Sequence, residues 1–168
     1  MQKYIAIILA ISIFIPLPGT AASLKQGINA TDMVDIEADR LDIYRDKEEA
    51  VFSENVTAKK GDMTLMCQKL QMLYNTSTKK VSQLVASEKV LITWQDKQAT
   101  CDQAKYFLDQ EKIFLTGNVI ITRGEEKMSA QSVTIDMKTG SQVAEGKEGK
   151  VKIRIKTEQG IDTLQWNR

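Results

Sequence analysis

Apolar residues recur at every second position through the middle of the chain, and the pattern returns in three copies. In the last copy the alternation runs through Ile113, Leu115, Val119 and Ile121. The matching positions are Ala50, Phe52, Val56 and Ala58 in the first copy, and Leu84, Ala86, Val90 and Ile92 in the second. A period of two marks a strand with one buried face. Gly61-Asp62 and Gly124-Glu125 supply turns after the first and third of these strands. A second strand then follows in each copy, and its apolar phase changes midway. Leu65 and Cys67 are odd-numbered, whereas Leu70, Met72 and Tyr74 are even. The same flip separates Ala99 and Cys101 from Ala104, Tyr106 and Leu108, and Met128 and Ala130 from Val133, Ile135 and Met137. A half-copy ahead of them shows it too, with Ile36 and Ala38 before Leu41 and Ile43. One residue of phase change moves side chains to the other face unless a bulge or bend restores them. Each unit is therefore expected to bend sharply there, so that its strands wrap around a shared interior.

The copies are true repeats. Asp46 to Tyr74 returns without a gap as Asp109 to Met137, an offset of 63 (46 + 63 = 109). A weaker copy lies between them at an offset of 34, matching Ser53-Glu-Asn-Val56 with Ser87-Glu-Lys-Val90. A unit of this size cannot cover its own apolar face, and stacking several builds one continuous core. Met63, Met66, Leu70 and Leu73 would also make a helical stripe. Their counterpart, Ser129 to Asp136, is rich in β-branched and hydroxyl residues, so both segments read as strands. Val151 to Lys156 alternates and predicts one more strand, and Gly140 to Lys150 reads as a loop.

The first residues read as a targeting segment. Lys3 precedes an apolar run from Ile5 to Ile15, broken by Pro16 and Pro18 and followed by Thr20-Ala21-Ala22, a small-residue cleavage pattern. Residues 1–22 are thus expected to be a signal peptide. Residues 23–168 are expected to form a single domain, with a repeat core at about 34–146 and a C-terminal strand and tail at 147–168; Ala22 to Thr31 is expected to be loose. Lysine and arginine number 23 against 22 acidic residues, and losing Lys3 makes the remainder neutral. No basic excess is present to track a nucleic acid.

The chain has no histidine, which excludes Ser-His-Asp and Cys-His arrangements. Asp39 and Asp102 occupy equivalent positions, as do Glu54 and Glu88, but paired carboxylates here read as solvated residues near the bends. No catalytic site, metal site or cofactor is expected. Cys67 and Cys101 also fall at equivalent positions, and three readings stay open: a disulfide if their strands are neighbours, two free buried thiols, or metal ligation, for which two cysteines without histidine are poor. The long aliphatic and methionine list on the inward face suits either a plain core or a groove for an irregular apolar ligand.

Ala50-Val-Phe-Ser-Glu-Asn-Val-Thr-Ala-Lys-Lys-Gly-Asp-Met-Thr-Leu65 and Ile113-Phe-Leu-Thr-Gly-Asn-Val119 resemble the repeats of the OstA-like family, the lipopolysaccharide-transport proteins of the LptA type. The resemblance covers about Val34 to Gly146. Glu54 and Glu88-Lys89 depart from its Gly-Asn-Val pattern. It implies an all-β, bent-strand β-jelly-roll with a lengthwise apolar groove, in a non-enzymatic periplasmic carrier. Lipid A acyl chains would lie along Phe52, Val56, Ala58, Leu65, Val90, Ile92, Leu115, Val119, Ile121 and Met128. It further implies head-to-tail self-association, and docking through sheet edges to an LptC-type inner-membrane partner and an LptD-type outer-membrane translocon. The N-terminal edge is expected near Val34 to Ile43, and the C-terminal edge in Val133 to Met137 or Val151 to Ile155. Two alternatives remain. An LptC-type anchored partner would keep its N-terminal helix uncut, and a structural filament module would have an interior packed solid.

Overall fold

A computed structural model describes residues 33–146 and 148–156. The expected signal peptide, the loose segment to Thr31 and the end of the tail lie outside the described residues. The described residues form ten strands, β1 (Asp35–Glu37), β2 (Arg40–Tyr44), β3 (Glu49–Lys60), β4 (Met63–Tyr74), β5 (Val81–Trp94), β6 (Lys97–Phe107), β7 (Lys112–Arg123), β8 (Glu126–Asp136), β9 (Gln142–Glu145) and β10 (Lys152–Arg154). They form one antiparallel sheet in which β3 to β8 follow sequence order. Beyond β3 lie β1 and β2, and beyond β8 lie β9 and β10, each covering half of its neighbour.

Every long strand is broken at the same level, and the break explains the phase flips. On β3, Glu54 and Asn55 lie between paired Ser53 and Val56 and face Gln68 alone on β4. On β5, Glu88 and Lys89 face Asp102 of β6, and on β7, Gly117 and Asn118 face Gln131 of β8. Two inserted residues preserve the phase of β3, β5 and β7, whereas one inserted residue inverts that of β4, β6 and β8. Only the second strand of each unit therefore shows a flip in sequence. All six bulge residues on the odd-numbered strands have positive φ, from 50° to 78°. Such bulges bend a strand and strengthen its twist. Stacked at one level, they fold the sheet into two layers along a common corner. Layer one carries residues 49–53 of β3 and their ladder partners, and layer two carries residues 56–60 and theirs.

The fold is thus the expected all-β bent-strand jelly-roll, with two differences at its C-terminal end. Gly140 to Lys150 contains strand β9, because Gln142 to Glu145 is too short and polar to display alternation. The C-terminal edge is not in Val133 to Met137. β8 is paired on both sides, so the edge consists of β9 on layer one and β10 on layer two. Glu54 is exposed on its bulge, as its reading near the bend required.

Candidate functional site

Register places the alternating apolar residues on the inner face of the folded sheet. One inward row crosses layer one as Leu41, Phe52, Leu70, Ala86, Ala104, Leu115, Val133 and Ala144. Another crosses layer two as Ile36, Ala58, Leu65, Ile92, Ala99, Ile121, Met128 and Ile153. Val56, Cys67, Val90, Cys101 and Val119 line the corner between them, and residues of both layers form a single apolar cluster. Burying one such aliphatic side chain stabilises the fold by about 1.5–3 kcal/mol.

Of the residues expected to line the groove, Val56, Ala58, Val90, Ile92, Leu115, Val119, Ile121 and Met128 are buried in this cluster, and Phe52 and Leu65 are half-buried against it. The fold packs all ten together. Side chains fill the space near the corner. Exposure increases toward both sheet ends, where inward Leu41, Ile43 and Ile153 are 50%, 66% and 54% exposed. The interior is therefore a wedge, closed at the corner and uncovered at both sheet ends.

The two lips of the wedge differ in chemistry. Layer one ends in the inward row Ile43, Ala50, Met72, Leu84, Tyr106, Ile113, Ile135 and Gln142, which bears no formal charge. Layer two ends at three equivalent hairpins in the row Lys60, Met63, Trp94, Lys97, Arg123 and Glu126. Lys97 and Glu126 are buried, which the sequence analysis missed. The Lys97 ammonium lies 5.2 Å from the Trp94 ring centroid, within cation–π range. Burial lowers the Lys97 pKa, and the neighbouring Arg123 charge adds to the effect. Arg123 donates its Nε to Asp96 at 2.5 Å, which holds that carboxyl below its usual range. The Glu126 carboxylate accepts the Lys156 backbone N–H at 3.0 Å. A polar depression of about 350 Å³ lies here, lined by Asp96, Arg123, Gly124, Glu125, Glu126 and Lys156.

Polar residues clasp the corner from outside. Asn55 donates to Asp39 at 2.6 Å, and Asn118 donates to Asp102 at 3.0 Å, one repeat later. The paired aspartates thus serve the bends. A smaller depression of about 270 Å³ sits at the corner, among Asn55, Val56, Thr57, Met66, Cys67, Gln68, Lys89 and Leu91.

The disulfide reading is corrected. Cys67 and Cys101 are both free and buried. They lie on β4 and β6 with β5 between them. Two strand spacings separate them by about 9.6 Å, beyond the roughly 7 Å Cα limit for a bridge. Burial pushes both thiols up, Cys101 to about 11. Among the described residues no group of three or more potential metal ligands occurs.

Among the described residues, and apart from Met66, the large apolar side chains that stand exposed belong to the two sheet ends. They are Met33, Val34, Leu41, Ile43 and Tyr44 at one end, and Val143, Ile153 and Ile155 at the other. Met33, Val34 and Ile155 flank the edge strands, and the rest lie on them.

Comparison with known proteins agrees with this architecture. The family described as "LptA/(LptD N-terminal domain) LPS transport protein" matches residues 35–141. An uncharacterised protein of Rhizobium meliloti (strain 1021) is 24% identical over 149 residues, covering 83% of this chain and 80% of its own length. Among solved structures, LptH of Pseudomonas aeruginosa superposes with a TM-score of 0.65 at 10% identity, covering 76% of this chain and 98% of its own. LptH is described as the LptA-homologous periplasmic component of the conserved lipopolysaccharide transport device.

Proposed function

Because the chain belongs to the LptA/LptD N-terminal-domain family of lipopolysaccharide transport proteins, we propose that it is a non-enzymatic periplasmic carrier. In this reading it holds lipid A acyl chains in its wedge and forms part of a bridge between the membranes. The observation that supports this most is the single inner apolar cluster, which runs from strand to strand and is uncovered at the two sheet ends. Acyl chains crossing an aqueous compartment need such cover, since each CH₂ kept from water contributes about 0.8 kcal/mol. Lipid would enter by parting the layers from an uncovered end, where the inward residues are half-buried or exposed.

The two edges supply the contacts of a bridge. Unpaired strands with exposed apolar side chains invite strand addition. The β9–β10 edge of one copy would pair with the β1–β2 edge of the next, giving heterologous, open-ended growth. The same edges would receive an LptC-type partner at the inner membrane and an LptD-type partner at the outer membrane.

A photo-reactive residue at Phe52 or Ile121, on the inner face, should capture lipopolysaccharide in living cells. One at outward Thr57 or Thr122 should not. Equal capture from both faces would sink the carrier reading. A second reading, a structural filament module, is favoured by the dense packing near the corner, where Val56, Leu115, Val119 and Ile121 are each only 1% exposed. Assembly without lipid capture from any inner position would favour that alternative.

A further inference from the structure

We propose that the outward charges of the two sheet edges set the register in which one copy of the chain adds to the next. Lys152 and Arg154 of β10 would meet Glu37 and Asp35 of β1, and Glu145 of β9 would meet Arg40 of β2. This rests on the head-to-tail reading above and adds a selectivity that bare edges lack, since an unpaired edge offers its hydrogen bonds to any strand. The occupant of each edge is a second copy of this chain.

Three observations converge. First, the two edges carry opposite charge on layer two. β1 presents exposed Asp35 and Glu37 on either side of inward Ile36. β10 presents exposed Lys152 and Arg154 on either side of inward Ile153. Among the described residues no ion pair engages any of these four charges. Within its own copy Arg154 stands opposite Lys127, and like charges directly opposite destabilise a sheet. An acid on the other side of Arg154 would offset that. Second, the charges fall into line. Continuing the two inward rows across the junction sets Ile153 beside Ile36 and Ala144 beside Leu41. Antiparallel pairing then places Lys152 opposite Glu37, Arg154 opposite Asp35 and Glu145 opposite Arg40, all on the outer face. Arg40 already holds Asp42 at 2.7 and 2.8 Å, and a guanidinium has further N–H donors. Glu145 accepts the Ser132 hydroxyl at 3.1 Å, and a carboxylate accepts several bonds. Third, other registers lose the match. A slip of one residue turns the charges inward. A slip of two residues one way sets Glu145 against Asp42. The same slip the other way sets Arg154 against Met33 and Arg40 against Val143. Attraction in one register and repulsion or loss in its neighbours together select a single junction, and that junction is the one that keeps the corners of the two copies in line.

The test is self-association of the full mature chain, measured by sedimentation velocity. Lys152→Glu/Arg154→Glu makes both layer-two edges acidic, and Asp35→Lys/Glu37→Lys makes both basic. At low salt each variant should associate about tenfold more weakly than wild type, since two exposed attractions become repulsions. Mixed in equal amounts, the two variants should regain wild-type association as alternating copies, which also shows that both are folded. Salt at about 1 M should narrow the gap between wild type and either variant, because screening then acts within about 3 Å. Under mild oxidation, Ile36→Cys/Ile153→Cys should give a ladder of linked chains, since directly opposite residues lie about 4.5–5.5 Å apart, within the range of a disulfide. Val34→Cys/Ile153→Cys, which matches a slipped register, should not. If the charge variants associate like wild type, if their mixture stays apart, or if only the Val34 pair gives a ladder, the charge register is overturned while strand addition stands. If wild type does not self-associate, the head-to-tail reading fails and the register with it, and lipid capture from Phe52 still tests the carrier reading.

Discussion

Gly117 is the position where a single added carbon should do most harm. It lies in the β7 bulge at φ 78°, and a Cβ there would stand 2.2 Å from Asp102 Oδ2 and 2.7 Å from both Asp102 Cγ and Cβ. Backbone conformation is only part of the cost. Glu54 and Glu88 hold the equivalent bulge position at φ 67° with full side chains. The left-handed conformation costs a non-glycine residue about 1–2 kcal/mol. Overpacking that forces a backbone shift costs about 1–3 kcal/mol more. Gly117→Ala should therefore destabilise by about 3.5 kcal/mol, the sum of the two mid-range costs, and lower Tm by roughly 10 °C for a domain of this size. The steric share can be isolated. Asp102→Ala removes two of the three contacting atoms but leaves Cβ, whereas Asp102→Gly removes all three. Adding Gly117→Ala should cost most in wild type, less in Asp102→Ala, and only about 1–2 kcal/mol in Asp102→Gly. Urea denaturation of the six proteins gives these differences. A Gly117→Ala cost below about 0.5 kcal/mol, or an equal cost in all three backgrounds, refutes the claim that Asp102 excludes a side chain here.

Further outcomes follow from the edges, the thiols and the clasps. Ile36→Pro and Ile153→Pro, on the edge strands, should lower the assembled fraction in size-exclusion chromatography while the monomer stays folded. Ile135→Pro, on a strand paired on both sides, should instead abolish the fold, as circular dichroism would show. Neither cysteine should react with iodoacetamide at pH 8 in the native protein, and both should react in denaturant. Because burial raises both thiols above the model-compound value of 9.0, Cys101 to about 11, their protonated forms favour the folded state. This contribution is complete below pH 9 and lost as the pH rises toward 11, so a melting curve that is flat across that window counts against it. Asn118→Ala should cost about 1 kcal/mol through the bond to Asp102, and Asn55→Ala should cost less, because Asp39 lies at a break in the edge.

The sheet was legible in the sequence because its inner face is built from repetition. Period-two alternation located the inward residues, and the single-residue phase flip located the corner. The paired bulges on β3, β5 and β7 were only partly legible, since two extra residues leave the alternation unchanged and just the outward reading of Glu54 hinted at one. β9 was missed for a similar reason, being four residues long with two polar ends. The cysteines occupy equivalent repeat positions, which suggested proximity. Equivalent units, however, start two strands apart, so equivalence itself keeps Cys67 and Cys101 from meeting. The charged lip was hidden because Lys97 and Glu126 sit beside turns, where a charge reads as solvated. Their burial comes from the fold around them rather than from their neighbours in sequence.

The same two-strand unit accounts for the orientation of the ends. β1 and β2 run from layer two to layer one, antiparallel to β3, and β9 and β10 run from layer one to layer two, antiparallel to β8. An even number of rungs separates the two ends, counting each split edge as one. Copies stacked end to end, as the proposed bridge requires, would thus set β9 against β2 and β10 against β1 in the antiparallel sense used throughout the sheet. Each split edge also meets a split edge, so the corner would pass from copy to copy. Such a junction would set Ala144 beside Leu41 and Ile153 beside Ile36, which extends both inward rows without a change of face. The exposure of Leu41 and Ile43 then has a physical reason. In that bridge they would be interior residues whose next rung belongs to another chain, and covering them would contribute to assembly at about 25 cal/mol per Å² of apolar surface removed from water.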